Sequence, residues 1–537
     1  MSDTTRKPRR LRRGALALTG LALLLATAAG LGTGSALANS HGSAHQSRFG
    51  DQGGAWNHPS PANGWGHPSP PNDYPVPGTD YSITPADLQP PPISVLRTSP
   101  NLAAGSIFVA PKITTAGTPG QQGPEIVDNQ GRPIFFQPVD LPYQGTDFRV
   151  QQYQGQPVLT YDVGQSTGGP GHSSGEDVIL NSHYQQIATV SAGNGLAADQ
   201  HEFRLTSDGT ALITSYHAVP YDLSPYGGPV NGQVYDGVAQ EIDIATGKVV
   251  FEWDSLSHVP LSDSYIPVPT SPSTPWDYFH INAVNPDTDG NLLISGRGVS
   301  TIFKVNHQTG AIIWRLGGKE SDFKLGPGVQ FNGQHNALPE TGEPNTIRIF
   351  DNGNGGGPAT GLPSRVIDVK LDTKAKTATL VSSVQHPDGL IANSQGNSQR
   401  LPGGHLFVGW GSVGRFSEFD SAGNLLWDGQ VPTGYDTYRA YRSPWVGTPD
   451  TAPTAVADRT GSHDVSVQAI WNGATEVGRW VVLAGNHRWD LQPAGSAGWN
   501  GLDTTISAHT RASYVEVAAL DDSGRVIGRS QPVQVSD

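Results

Sequence analysis

Three histidines stand in similar stretches far apart along the chain: Gln200-His201-Glu202-Phe203, Phe279-His280-Ile281-Asn282 and Gln334-His335-Asn336-Ala337. A fourth stretch, Gln395-Gly396-Asn397-Ser398-Gln399, has the same amide-rich make-up without the histidine. Brought to one point, these imidazoles and the Asn282 and Asn336 amides form a cluster of hydrogen-bond donors and titratable nucleophiles. Such a cluster suits a tetrahedral oxyanion, sulfate or phosphate. A histidine can also attack the group and carry it, splitting one transfer into two easier steps. Arg297, in Ser295-Gly296-Arg297-Gly298, follows an apolar run and can add fixed positive charge. Other chemistries lack their parts. There is no carboxylate pair of the glycosidase kind and no Gly-x-Ser-x-Gly elbow. The chain has no cysteine, which removes disulfides, thiolate nucleophiles and thiolate metal sites. Zinc on His201, His280 and His335 would lack both HExxH spacing and a carboxylate in register, so neither metal nor cofactor is expected. The competing reading is that these polar groups only hold water or backbone.

The elements that must position these residues are short strands. Polar Gly turns alternate with apolar runs: Asp208-Gly209 before Ala211–Thr214, Asp289-Gly290 before Leu292–Ser295, and Gly403-Gly404 before Leu406–Gly409. A second family of turns leads into runs with an aromatic residue, ending at Trp253, Trp314 and Trp427. Each turn joins two strands as a hairpin, and two hairpins make a four-stranded antiparallel blade. The count predicts an all-β, six-bladed β-propeller over 105–445, with blades beginning near Ile107, Phe148, His201, His280, His335 and Gly396. The innermost strand of every blade lines the channel, so the blade starts converge on one mouth. Pro-, Ser- and Tyr-rich stretches near 217–235 and 257–276 are expected as loops over one face. The recurring tryptophans are expected as core between blades. Tyr435, Tyr438, Arg439, Tyr441 and Arg442 are expected either to close the ring or to edge the site. Asn285–Asn291 resembles part of a calcium loop, but Asp289-Gly290 reads better as a hairpin turn.

The two ends differ from this middle. Arg6, Lys7, Arg9, Arg10, Arg12 and Arg13 are basic, an apolar stretch runs from about Ala15 to Leu31, and Ala36-Leu37-Ala38 offers a small-x-small cut. That order predicts a signal peptide over 1–38 and a secreted or cell-surface protein, with no stable membrane insertion. Residues 39–104 read as a Pro/Gly/Ser linker whose histidines are solvated. After a second linker at 446–456, the alternating runs Val465–Trp471, Trp480–Leu483 and Tyr514–Val517 predict a small immunoglobulin- or fibronectin-like β-sandwich over 457–537. The formal charge of −14 excludes nucleic acid as a partner.

At its histidines the chain resembles the bacterial arylsulfotransferases, in their actinobacterial and fungal branch, over about 105–445. His280-Ile281-Asn282 resembles that family's His-x-Asn motif, with Arg297 standing where its arginine follows. Gln334-His335 resembles its site of transient sulfohistidine formation, and His201 its first active-site histidine. The resemblance implies a six-bladed propeller that moves sulfuryl groups from an aryl sulfate to a phenol without a nucleotide donor. His335 would attack, while His280, His201, Arg297 and Asn282 would hold the oxygens. Two rival readings are a non-catalytic propeller binding a glycan, wall polymer or protein, and a quinone-dependent dehydrogenase.

Overall fold

The computed structural model describes residues 88–167 and 171–536; the predicted signal peptide and most of the first linker lie outside them. Among the described residues there is no α-helix, and the sheets are antiparallel apart from the short strand Lys324–Leu325, which pairs parallel with Thr377–Gln385. Six of these follow one another along the chain. The second sheet holds Tyr143–Tyr153, Gln156–Ser166, Ser173–Leu180 and Gln186–Val190, and the third holds Asp199–Leu205, Thr210–Tyr221, Gly232–Asp243 and Lys248–Asp254. The fourth starts at Ile281–Pro286, the fifth at His335–Pro339 and the sixth at Asn397–Arg400. The first strands of successive sheets touch one another in a closed ring, which makes the molecule a β-propeller.

The first sheet departs from the expected start at Ile107. Its innermost strand is Tyr435–Ser443, the last of the ring, paired antiparallel with Ser106–Ile113. At the other end of the chain, Ser94–Arg97, inside the stretch read as linker, pairs with Leu425–Gln430 on the outer edge of the sixth sheet. The ring is therefore fastened twice, inside by a late strand and outside by an early one.

Local chemistry explains the hairpins. In the turn after Ile281–Pro286, Gly290 takes φ +80°, a left-handed conformation costly for other residues. Lys304 Nζ holds the Asp287 and Asp289 carboxylates at 2.6 and 2.7 Å, so the residues that resembled a calcium loop neutralise a lysine instead. Trp253, Trp314 and Trp427 are buried in apolar clusters. Part of the expected loop at 217–235 is strand: His217–Tyr221 pairs residue by residue with Gly232–Asp236. This pairing carries the hairpin beyond the other strands of its sheet, leaving 222–231 as its connecting loop, with one 3-10 turn at Ser224–Tyr226.

Beyond the ring, Thr454–Arg459, Asp464–Ile470 and Asp503–His509 form one sheet, and Gln492–Gly498, Arg479–Gly485, Tyr514–Leu520 and Val526–Arg529 a second. Val467 and Ile506 of the first share a core with Trp480 and Val517 of the second. Asp503–His509 alternates buried and exposed positions, as a strand with one wet face must. This unit hydrogen-bonds to the outermost strand of the first sheet, through Gly473 N–H to Ile134 O and Leu502 N–H to Pro133 O.

Candidate active site

His201, His280 and His335 do come from the starts of the third, fourth and fifth sheets. His280 sits just before its strand at φ +52°, an uncommon conformation for a residue with a side chain and one that tends to persist at functional sites. The turn carrying Arg297 is pressed against it: Arg297 N–H donates to His280 O and Gly298 N–H to Phe279 O, at 3.0 and 2.8 Å. A Cβ on Gly298 would lie 2.4 Å from Tyr278 O, so only glycine lets the arginine turn approach this closely. Arg297 Nη2 donates to Asn393 O.

Carboxylates orient two of the histidines. Asp277 Oδ2 accepts from His280 Nδ1 at 2.5 Å, and Asp199 Oδ1 takes both the backbone N–H and Nδ1 of His201. The two rings lie 5.0 Å apart by centroid, nearly perpendicular, and neither Nε2 has a hydrogen-bond partner among the described residues. Burial pushes His280 down to about 4 against the upward pull of Asp277, so at neutral pH its ring is uncharged. With the proton on Nδ1 and donated to Asp277, its Nε2 carries a lone pair. Asp277 itself, although burial raises it, is held well below the usual carboxylate range by its contacts with His280 and His172.

His335 is bound differently. Asn352 Nδ2 donates to Ala392 O and Gln395 O, which leaves its Oδ1 to accept from His335 Nδ1 at 2.8 Å. His335 Nε2 then accepts the backbone N–H of Gln395 at 3.1 Å, and both ring nitrogens are engaged. Burial, reinforced by the Arg297 charge, lowers His335 well below the ordinary imidazole range. The two asparagines are engaged as well. Asn282 Nδ2 donates to Gln334 O in the next sheet, and Asn336 Oδ1 accepts from Ser398 N–H in the one after. Asn397 continues the pattern by donating to Ala440 O. These contacts stitch neighbouring blades together, while Asn282 Oδ1 is buried without a hydrogen-bond partner.

Sequence reasoning missed a fourth histidine. His172, at the start of the third strand of the second sheet, puts Nε2 3.0 Å from Asp277 Oδ2, and its ring centroid is 5.4 Å from that of His280. Tyr216 stacks on it at 3.8 Å, with Tyr235 edge-on at 4.6 Å. A cleft of about 280 Å³, lined by Tyr216, Tyr235, His217, Leu196 and Ser173, opens beside this aromatic group rather than over His201 and His280. No blade repeat flags His172. The usable signal was Asp277, three residues before His280, together with Asp199, two residues before His201. Where the sequence offered no metal-ligand set, the fold gathers one: His172, Asp277 and His280 have donor atoms within 4.8 Å of one another.

Below the mouth the channel is filled. Arg439, fully buried, donates from Nη1 to Glu202 Oε1 and Asp147 Oδ2, and from Nη2 to Glu202 Oε2 and His201 O. Arg149 joins through Glu202 Oε1, and Tyr441 donates to Asp147 Oδ1. Of the residues expected to close the ring or edge the site, Arg439 and Tyr441 thus form the floor.

Fold and site together define a propeller with an imidazole and arginine cluster at one mouth. The chain belongs to the Arylsulfotransferase (ASST) family, whose model matches residues 149–431, more than half of its length. Membership marks it as an enzyme of the sulfotransferase kind. No curated protein matches it. Among solved structures, a protein of unknown function from Bacteroides caccae is similar at 10% identity and TM-score 0.39, over 63% of this chain and 100% of that one. A streptogramin B lyase is similar at 8% identity and TM-score 0.32, over 64% and 88%. An inactive virginiamycin B lyase from Staphylococcus aureus is similar at 9% and TM-score 0.25, over 68% and 99%. Among the described residues, no helix is long and apolar enough to cross a membrane.

Proposed function

We propose that this protein is exported and moves a sulfuryl group from an aryl sulfate to a phenolic acceptor through a covalent sulfohistidine, without a nucleotide donor. The observation that carries the reading is the pair His201 and His280: adjacent rings, each held at Nδ1 by a carboxylate, each with Nε2 open. Export rests on the basic, apolar and small-residue order of the first 38 residues.

The attack is assigned to His335, in the Gln334-His335 stretch that resembles the family's sulfohistidine site; its Nε2 accepts the Gln395 backbone N–H at 3.1 Å, a contact that substrate must displace to free the lone pair. His335 Nε2 bonds to sulfur as the sulfur–aryloxy bond breaks. Protonated His201 gives its proton to the departing phenolate. A phenol then takes the place of the first, neutral His201 removes its proton, and its oxygen attacks sulfur, returning the pair of electrons to Nε2. Arg297 stabilises charge on the sulfuryl oxygens, and water is kept out by the filled channel beneath.

The test is to incubate the protein with a chromogenic aryl sulfate without acceptor and locate the adduct by peptide mass spectrometry. Sulfation of the peptide bearing His335, and loss of transfer in His335→Ala by about 1,000-fold or more, is the expected result. An adduct on His280 would move the attack to that residue. No adduct and no transfer across several donors and acceptors would favour the binding-propeller reading.

A further inference from the structure

We propose that Asn352 is a positioning residue for the transfer: it fixes His335 in the tautomer with the proton on Nδ1, and it keeps that proton in place while Nε2 bonds to sulfur. The first half stands on geometry; the second rests on the function proposed above.

The orientation of the Asn352 amide is over-determined. Asn352 is fully buried and directly follows the strand Thr346–Asp351. Its Nδ2 donates to Ala392 O and Gln395 O, each at 3.0 Å. Turning the amide over would set its oxygen against two carbonyl oxygens, so Oδ1 must face His335 Nδ1, 2.8 Å away. An amide oxygen only accepts, and Nδ1 therefore carries the proton. A second contact requires the same tautomer: the Gln395 N–H donates to Nε2 at 3.1 Å, which needs a lone pair there. Substrate displaces that second contact. From then on Asn352 alone specifies the tautomer.

The partner at Nδ1 also separates His335 from the other two histidines of the mouth. His201 and His280 face carboxylates there, Asp199 and Asp277. A carboxylate favours the charged imidazole, which suits a ring that exchanges protons with substrate. An amide oxygen accepts the same hydrogen bond but is too weak a base to take the proton. When Nε2 forms its bond to sulfur, the ring becomes cationic and its Nδ1–H more acidic. Opposite Asn352 the proton stays on the ring. In the second transfer the electron pair then returns to Nε2 of a neutral imidazole, a good leaving group. Had the proton been lost, the leaving group would be an imidazolate, a poor one. The carbonyls of Ala392 and Gln395 that hold Nδ2 would repel an ionised carboxylate, so the surroundings select an amide at this position.

The tautomer is read by nitrogen NMR of the full chain labelled with nitrogen-15 at histidine, the His335 signals being those lost in His335→Ala. The ring should carry its proton on Nδ1 and none on Nε2. A proton on Nε2, or on both nitrogens, at neutral pH would overturn the first half. The second half is read by rapid mixing with a chromogenic aryl sulfate without acceptor, followed through phenol release and the mass of the adduct. Asn352→Ala and Asn352→Leu should form the His335 adduct about 10- to 100-fold more slowly, while the half-saturating donor concentration changes by less than about threefold. Ser364→Ala loosens the same loop without touching His335, because Ser364 Oγ accepts the Ala392 N–H at 2.8 Å; it should form adduct at the wild-type rate. Circular dichroism separates slow chemistry from lost folding. A wild-type rate in either folded Asn352 variant, or an equal slowing in Ser364→Ala, would overturn the positioning role. No adduct on His335 of the wild type would overturn the function proposed above and this second half with it, while the tautomer stands on its own measurement.

Discussion

The mouth and the floor of the channel use the same kinds of side chain to opposite ends. On the floor, both oxygens of Glu202 and both of Asp147 meet a donor from Arg149, Arg439, Tyr441 or Asn285. At the mouth, Asp199 and Asp277 hold only one side of His201 and His280, and the outward nitrogens are left open. Every oxygen of these two floor carboxylates is thus paired, which rigidifies, although Arg149 Nε, Arg439 Nε and Asn285 Oδ1 find no partner; at the mouth the open atoms are imidazole nitrogens, which are able to react.

The sharpest way to break this contrast is at the floor. Arg439→Ala strands two buried carboxylates and should lower stability by about 3–5 kcal/mol, read by denaturant melting. His280→Ala should leave the melt within about 1 kcal/mol of wild type while abolishing transfer; equal stability losses in both variants would erase the distinction. Between these extremes, Asn282→Ala removes the donor to Gln334 O and should cost about 1–3 kcal/mol, with activity falling only as folded protein is lost. A direct effect on substrate affinity at full folding would restore Asn282 to the site. The smallest effect concerns a carboxyl outside the ring. Burial raises Asp503 to about 7, so the folded state binds its proton more tightly than the unfolded chain does. Stability should therefore fall as pH rises from about 4 to about 7, and Asp503→Asn should flatten that slope in thermal melts.

The sequence disclosed the histidines because they recur at one place in a repeating unit, and a propeller brings such places together. It did not disclose their partners. Asp277 meets His172 across two blades, and Asn352 meets His335 across a hairpin, contacts that no periodicity encodes. The His-x-Asn spacing was legible, but the direction in which Asn282 points was not, since a bulge between Ile281 and Ala283 breaks simple alternation there. The start at Ile107 was misplaced for a related reason. An inner strand supplied from residue 435 onward leaves no mark beside the strand it covers. The apolar runs and Gly turns, being local, specified the sheets well.

The late strand Tyr435–Ser443 also orders events in time. It carries Arg439, which fixes the backbone of His201, and Tyr438, whose hydroxyl donates to the same carbonyl. A chain emerging from its N-terminus has all four histidines in hand about a hundred residues before this strand arrives. Until then the ring is open and the rings of His201 and His280 have no common floor to rest on. A polypeptide interrupted before residue 435 would thus be inert, and the onset of reactivity would report that synthesis and closure had both finished.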